Sequence, residues 1–309
     1  MTIQARPYAT LEDLAAMHAV LSAGAAARTN AFYVHPGDLS WWLFYTTDEA
    51  PLCDRIWIWE DEGEVIGWTL FSVDEGFVDL FVKPAWLDHE AYAEMQARSV
   101  VDMERRVKAV GGKRVAVMWI DEADGARQAL LLAQGFTRAA GDRFVCFEQS
   151  LVGPLRVEPL PEGSELLEVS TEVDLEARAR PQAAAFKSRL PWDRYLDRYR
   201  RFRQSPVYAD VHDTGLVLAD GTFAAVTIWW VDPINRIGHF EPVATDPALQ
   251  RRGYGKALLR GCLERMRAMG LLAATVCTGA DSADNIAFYR ACGFEIAARV
   301  VCYERILEP

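Results

Sequence analysis

In the stretch after Gly255, Leu258, Cys262, Met266 and Met269 recur at i, i+4, i+8 and i+11, the spacing of one buried helix face. Gly270 stands where that helix is expected to close. Ahead of it, GLVLAD and FAAVTIWWVD are apolar runs on either side of Asp220-Gly221, which reads as two strands around a tight turn, and RIGHFEPVATD reads as a third strand. Behind it, LAATVCTG is a nearly unbroken apolar run of the kind covered on both faces, and NIAFYRACGF is a helix closed by Gly293. The order gives an α/β chain with a mixed (α+β) sheet, not a regular βαβ array.

The same order occurs twice. ATLEDL, with Thr10, Asp13 and Leu14, is matched by STEVDL, with Thr171, Asp174 and Leu175, and each threonine stands at the N-cap of a helix. The turn Asp61-Glu62-Gly63 before VIGWTLF is matched by Asp220-Gly221 before FAAVTIWW. Gly135-Phe136 is matched by Gly293-Phe294, and Val145-Cys146-Phe147-Glu148 by Val301-Cys302-Tyr303-Glu304. Matches in one order at nearly constant separation indicate a tandem duplication. The join lies in LVGPLRVEPLPEGS, rich in proline and glycine, where LRVEPL also reads as a joining strand; the halves are drawn as 1–153 and 154–309.

A chain of 309 residues is long enough for two domains, and its apolar share of 51% supports real cores. A net charge of −11 and a pI near 5.0 argue against a general nucleic-acid binder, which needs a basic face, and give a field that attracts cationic amines. No apolar run reaches the roughly 18 to 20 residues that span a bilayer, and no secretory leader opens the chain, so the expectation is a cytoplasmic protein without a membrane partner. The six cysteines show neither CxxC spacing nor nearby histidines, so neither a metal site nor a disulfide framework is expected.

A glycine-bearing turn between a strand and a helix presents backbone N–H groups with no partner inside the helix, and the helix dipole adds positive potential there. HFEPVATD, then LQRRGYG, then KALLRGCLERM places Gly253 and Gly255 at such a junction, with Arg251, Arg252 and Lys256 beside them. The whole stretch EPVATDPALQRRGYGKALL resembles the coenzyme A motif Gln/Arg-x-x-Gly-x-Gly/Ala of the GNAT (GCN5-related) N-acetyltransferases, and NIAFYRACGF resembles their next motif. The resemblance is specific over residues 217 to 294 and architectural elsewhere, and the overall layout is similar to the tandem two-domain type of the mycothiol synthases.

That resemblance implies a duplicated GNAT acyl-CoA N-acyltransferase fold with acetyl-CoA as cosubstrate and no metal. It implies a V-shaped opening between two strands in which Val243, Ala244 and Thr245 pair with the pantetheine arm, one of their N–H groups polarising the thioester carbonyl. Gln250, Arg251, Arg252, Gly253, Tyr254, Gly255, Lys256 and Ala257 hold the pyrophosphate, and Asn285 contacts the coenzyme. Pro242 has no N–H and is excluded as a donor. Transfer to an amine needs a base for the ammonium and an acid for the leaving thiolate. Tyr289, four residues after Asn285, stands at the family's acid position, against the alternative of an aromatic anchor beside Phe288. Glu241 is the first choice of base, acting directly or through water, and His239 the second, on the same strand face.

The first half lacks this equipment. Aligned on Lys83-Pro84 and Asp246-Pro247, it places Asp88 at Arg251, Glu90 at Gly253 and Tyr92 at Gly255, and further on it places Arg127 at Asn285 and Leu131 at Tyr289. Two carboxylates there oppose a pyrophosphate, so the first half is expected to be non-catalytic. LPWDRYLDRYRRFRQSP reads as a solvated helix near the acceptor wall, and Trp41-Trp42 and Trp229-Trp230 as core or interdomain packing. The expected activity is acetylation of a primary amine on a small molecule or peptide by direct attack in a ternary complex, by a monomer or homodimer. The alternative is a coenzyme A-binding sensor or scaffold without turnover.

Overall fold

The structure is a computed structural model that describes residues 3–45, 50–141, 143–153, 155, 159–170 and 172–308. The first half runs β1 (Gln4–Pro7), α1 (Leu11–Ala27), α2 (Pro36–Phe44), α3 (Leu52–Arg55), β2 (Ile56–Asp61), β3 (Glu64–Ser72), β4 (Phe77–Val82), α4 (Glu90–Ala109), β5 (Arg114–Asp121), α5 (Gly125–Ala133), β6 (Thr137–Arg138) and β7 (Phe144–Ser150). The second runs β8 (Ser164–Glu168), α6 (Glu172–Ala185), α7 (Trp192–Arg203), β9 (Asp213–Leu218), β10 (Phe223–Asp232), β11 (Ile237–Thr245), α8 (Tyr254–Ala268), β12 (Ala273–Gly279), α9 (Ala283–Cys292) and β13 (Glu295–Ile306). Apart from α3 and the short β6, each element of one half has a counterpart in the other, as a duplication requires.

Local chemistry sets the boundaries. Thr10 caps α1 through a capping box with Asp13, and Gly293 closes α9 in the left-handed conformation at φ 103°. Thr171, the matching cap, and the middle of LRVEPL, residues 156–158, lie outside the described residues. In α8, Leu258, Cys262 and Met266 are fully buried, but Met269 is 56% exposed. The helix stops at Ala268, so Met269 falls in its C-cap and the apolar stripe ends one member earlier than its spacing suggests.

All thirteen described strands form one mixed sheet, ordered β1-β2-β3-β4-β5-β13-β7-β12-β11-β10-β9-β8, with β6 on β13. The last strand of each half lies in the other half's sheet: β13 pairs antiparallel with β5, and β7 antiparallel with β12. β7 and β13 also pair with each other, so the hydrogen bonding is continuous across the join. One core lies under α8 and α9, further cores lie under α1 and α4, and an aromatic cluster of Trp41, Tyr45, Tyr195, Tyr199, Phe202 and Trp230 seals the halves together. Trp41 and Trp230 are thus interdomain packing.

One cysteine expectation needs correcting: a disulfide joins Cys146 on β7 to Cys277 on β12. The two stand opposite each other in the ladder, with Cα atoms 4.2 Å apart. Their sequence separation of 131 residues hid the pair, because only the strand exchange brings them together.

Candidate active site

β11 and β12 run parallel but pair only at Ile237 with Ala273, Gly238 with Ala274 and His239 with Thr275. Just beyond, β11 carries two residues, Glu241 and Pro242, where β10 carries only Ile228, so β11 bulges. Past the bulge, Val243, Ala244 and Thr245 pair with β10 on one side, while on the other side β11 has left β12. The strand edge named from the sequence therefore borders an opening between the two strands. The Pro242 carbonyl is turned to the Thr227 hydroxyl, 2.8 Å away, on the β10 side.

At the far end of β11, the turn into α8 has Arg251 at φ 64° and Gly253 at φ 86°. Gly253 is the N-cap, and a β-carbon there would meet nothing within 4 Å. Its conformation favours glycine, and the space in front of it is open to a ligand. Gly255 is needed for packing, since a β-carbon would lie 2.5 Å from the Thr245 hydroxyl. The first helical bond runs from the Ala257 N–H to the Gly253 carbonyl (2.9 Å), so the N–H groups of Tyr254 and Gly255 have no partner within α8. Of the polar side chains named for this region, Arg251 makes an exposed ion pair with Asp284 (3.0 Å) and the Gln250 amide reaches the Thr245 carbonyl at 3.4 Å. Asn285 donates to the Thr278 hydroxyl (3.0 Å).

Glu241 and His239 do come together, and a residue of the first half joins them. Asp38, on α2, places Oδ1 2.8 Å from His239 Nε2, without an aligned hydrogen bond. One ligand-type atom from each of Asp38, His239 and Glu241 lies within 4.8 Å of the others. On the other side of the ring, His239 Nδ1 lies 2.8 Å from the Thr275 hydroxyl, which also reaches the Gly238 carbonyl at 3.3 Å. Nε2 faces a carboxylate and needs a proton to do so favourably. Burial disfavours charge on His239, but the attraction and contact of Asp38 outweigh it and raise its pKa. In Asp38 the same pairing overcomes burial and lowers the pKa. His35 stacks on His239 with centroids 4.9 Å apart and stays neutral, held at about 3 by burial and by the His239 charge.

Glu241 sits at the front of this pair. Burial and the negative charge of Asp38 push its carboxyl up to about 8, against the opposing attraction of His239. Its backbone carbonyl accepts from the Trp230 indole (2.8 Å), which fixes the bulge. Tyr289 is buried between Phe147, Phe288 and Phe294. Burial and the nearby Glu241 raise its hydroxyl pKa, so it keeps its proton at neutral pH. Asp38 was missed by sequence reasoning. Its only sequence signal is the helix start His35-Pro36-Gly37-Asp38, where Asp38 closes a capping box on His35.

The equivalent opening in the first half is filled. β4 and β5 pair at Phe77 with Ala116 and then separate. Asp79 accepts from the Met118 N–H (2.9 Å), the Tyr33 hydroxyl donates to the Val82 carbonyl (2.7 Å), and buried Arg127 donates to the Leu80 carbonyl at 3.4 Å. Tyr92 lies against the Arg127 guanidinium. The edge of β4 is thus occupied by the protein's own side chains.

Residues 175–294 match the Acetyltransferase (GNAT) family. Comparison with curated proteins gives no match. Among solved structures, a tandem GNAT protein from the clavulanic acid biosynthesis pathway is similar at 16% identity with TM-score 0.70, covering 100% of this chain and 99% of that one. A GCN5-related N-acetyltransferase from Sphaerobacter thermophilus is similar at 16% identity with TM-score 0.66, covering 99% of this chain and 96% of that one. At such identities the likeness speaks for the fold. Residues 175–294 thus match the GNAT acetyltransferase family, and the chain has, from end to end, the fold of tandem GNAT proteins.

Proposed function

We propose that the second half, taken as residues 154–309, is an N-acetyltransferase that moves the acetyl group of acetyl-CoA to a primary amine of a small molecule or peptide, while residues 1–153 form a non-catalytic half that lends Asp38 to the site. The observation that carries this reading is the coincidence of an unpaired strand edge at Val243–Thr245, an open αL turn at Gly253, and Glu241 with Tyr289 at the strand bulge. A sensor without turnover has no need of the last two.

The residues present fit the cosubstrate. The open turn and the amides of Tyr254 and Gly255 suit a pyrophosphate, with Arg251, Arg252 and Lys256 nearby. In the transfer, ionised Glu241 takes the proton from the acceptor ammonium directly or through one water. The amine nitrogen then bonds to the acetyl carbon, a β11 amide bears the developing oxyanion, and the C–S bond breaks as Tyr289 gives its proton to the thiolate; the second proton, shed by the nitrogen as it becomes an amide, passes through water to restore the Tyr289 hydroxyl. The His239 imidazolium, held by Asp38, favours the ionised form of Glu241.

The test measures free thiol released from acetyl-CoA with a panel of primary amines. Amine-dependent release is expected, and Tyr289→Phe should slow kcat by roughly 100-fold, the scale of a lost proton donor, with coenzyme affinity unchanged. Binding of acetyl-CoA with no amine-dependent release from any acceptor would favour the sensor.

A further inference from the structure

In front of the filled opening of the first half lies a cavity of about 410 Å³. Its walls are aromatic: Trp41, Trp42 and Tyr45 from the α2 region, Trp119 from β5 and Phe144 from β7. Trp119 stacks on Trp42 (centroids 5.2 Å apart) and lies 5.1 Å from the ring of Phe144, yet all three rings remain partly exposed. Partly exposed aromatic faces grouped around one cavity offer a ligand an apolar, quadrupole-bearing surface.

The backbone is bent to make this wall. Between the pairs Val301–Ile120 and Tyr303–Val117, β5 carries two residues, Met118 and Trp119, against one on β13, so β5 bulges there. Trp119 has φ 26°, in the left-handed region that a bulky residue avoids. A bulge re-aims a side chain, and a non-glycine residue persists in such a conformation where the surroundings demand it. Here those surroundings are Phe32, Trp42 and Phe144, on which the Trp119 ring packs while its remaining surface lines the cavity.

The remaining lining supplies charge. Asp79 reaches the cavity from β4, and Asp74 and Glu75 stand exposed at its rim. Arg55 also lines it, and the carboxylates outnumber it. Burial pushes Asp79 up to about 7, against the Met118 amide and Arg127, so an entering cation would favour its ionised form. Aromatic faces with carboxylates beside them recognise an alkylated ammonium, since the ring quadrupoles attract a diffuse positive charge. They offer too few oxygen ligands for a hard metal ion.

We propose that this cavity of the first half binds a small organic cation of the quaternary or alkylated ammonium class. The inference stands apart from the acetyl-transfer reading, because it uses none of the residues assigned to that reaction. Choline is a suitable probe: it has no N–H to acetylate, and 3,3-dimethylbutan-1-ol has its shape without its charge. Titration of the full chain, read by tryptophan fluorescence and calorimetry, should show saturable choline binding at one site and much weaker binding of the alcohol. Trp119→Ala should weaken choline by roughly fivefold or more, the scale of a desolvated cation–π contact, and Trp119→Phe should retain most of it. Glu75→Gln, on the exposed rim, cannot disturb the core and should weaken binding by about threefold, as expected for a partly screened charge. Equal binding of choline and the alcohol, undiminished binding in folded Trp119→Ala and in Glu75→Gln, or no saturable choline binding would each overturn the proposal.

Discussion

The residue with the most to say about chemistry is Glu241. Its folded pKa is raised, so at neutral pH the free protein holds it mostly protonated, and it becomes a base only as pH rises through about 8. The rate at saturating acetyl-CoA should therefore climb with an apparent pKa near 8, and Glu241→Gln should abolish that limb while leaving any limb set by the amine substrate's own pKa. A profile unchanged by the substitution would remove Glu241 from the mechanism. The same shift has a sign in stability: burial of the neutral acid favours folding below the ordinary carboxylate pKa, and that contribution is lost as pH rises through about 8. Glu241 and His239 were legible in the sequence because both lie on the strand that leads into the glycine motif. Asp38 was not, because no spacing rule links it to residues some 200 positions away. Tyr289 was legible in position, while the burial that keeps it protonated depends on Phe147 of the first half as well as on its chain neighbours Phe288 and Phe294.

At the scale of elements, the turn between β11 and α8 was the most readable part of the molecule. Its two glycines nevertheless have different reasons, one conformational and one steric, which the motif does not separate. Gly253→Glu, the residue found in the first half, should therefore fold, since its β-carbon meets no protein atom within 4 Å, with a modest drop in melting temperature from the left-handed conformation, about 1 kcal/mol. Calorimetry should find coenzyme A binding lost, whereas Gly253→Ala, which adds similar strain without charge, should retain part of it. Full affinity in Gly253→Glu would displace the pyrophosphate from this turn. α2 is the element that sequence reading undervalued. Its tryptophans were expected to pack, and they do, but its first turn also delivers Asp38 to the second half and its last turn walls the aromatic cavity. The first role depends on a docking between halves, and the second on contacts with β3 to β5 and β7, neither of which local patterns encode.

For the whole molecule, the filled opening of the first half argues for one acetyl-CoA per chain. The β4 edge already receives Tyr33 and Arg127 where the β11 edge is open, so a second coenzyme would have to displace bonds that exist. Titration calorimetry should give a stoichiometry near one, and two sites per chain would contradict the assignment. Duplication was visible in the sequence, but the exchange of β7 and β13 was not, and the reason is instructive. Val-Cys-Phe-Glu in one strand and Val-Cys-Tyr-Glu in the other present nearly the same side chains in the same alternation, so either strand satisfies either sheet and pattern alone does not choose. That near-identity has an evolutionary consequence. If the first half performs no chemistry, as proposed, it would ordinarily be free to be deleted, but here each sheet is finished by a strand encoded in the other half. Loss of the silent half would leave the edge of β12 bare and β13 without its place beside β5. On the proposed reading, mutation is free to erode the first half's catalytic vocabulary residue by residue, while selection for a closed sheet keeps its last strand in the gene.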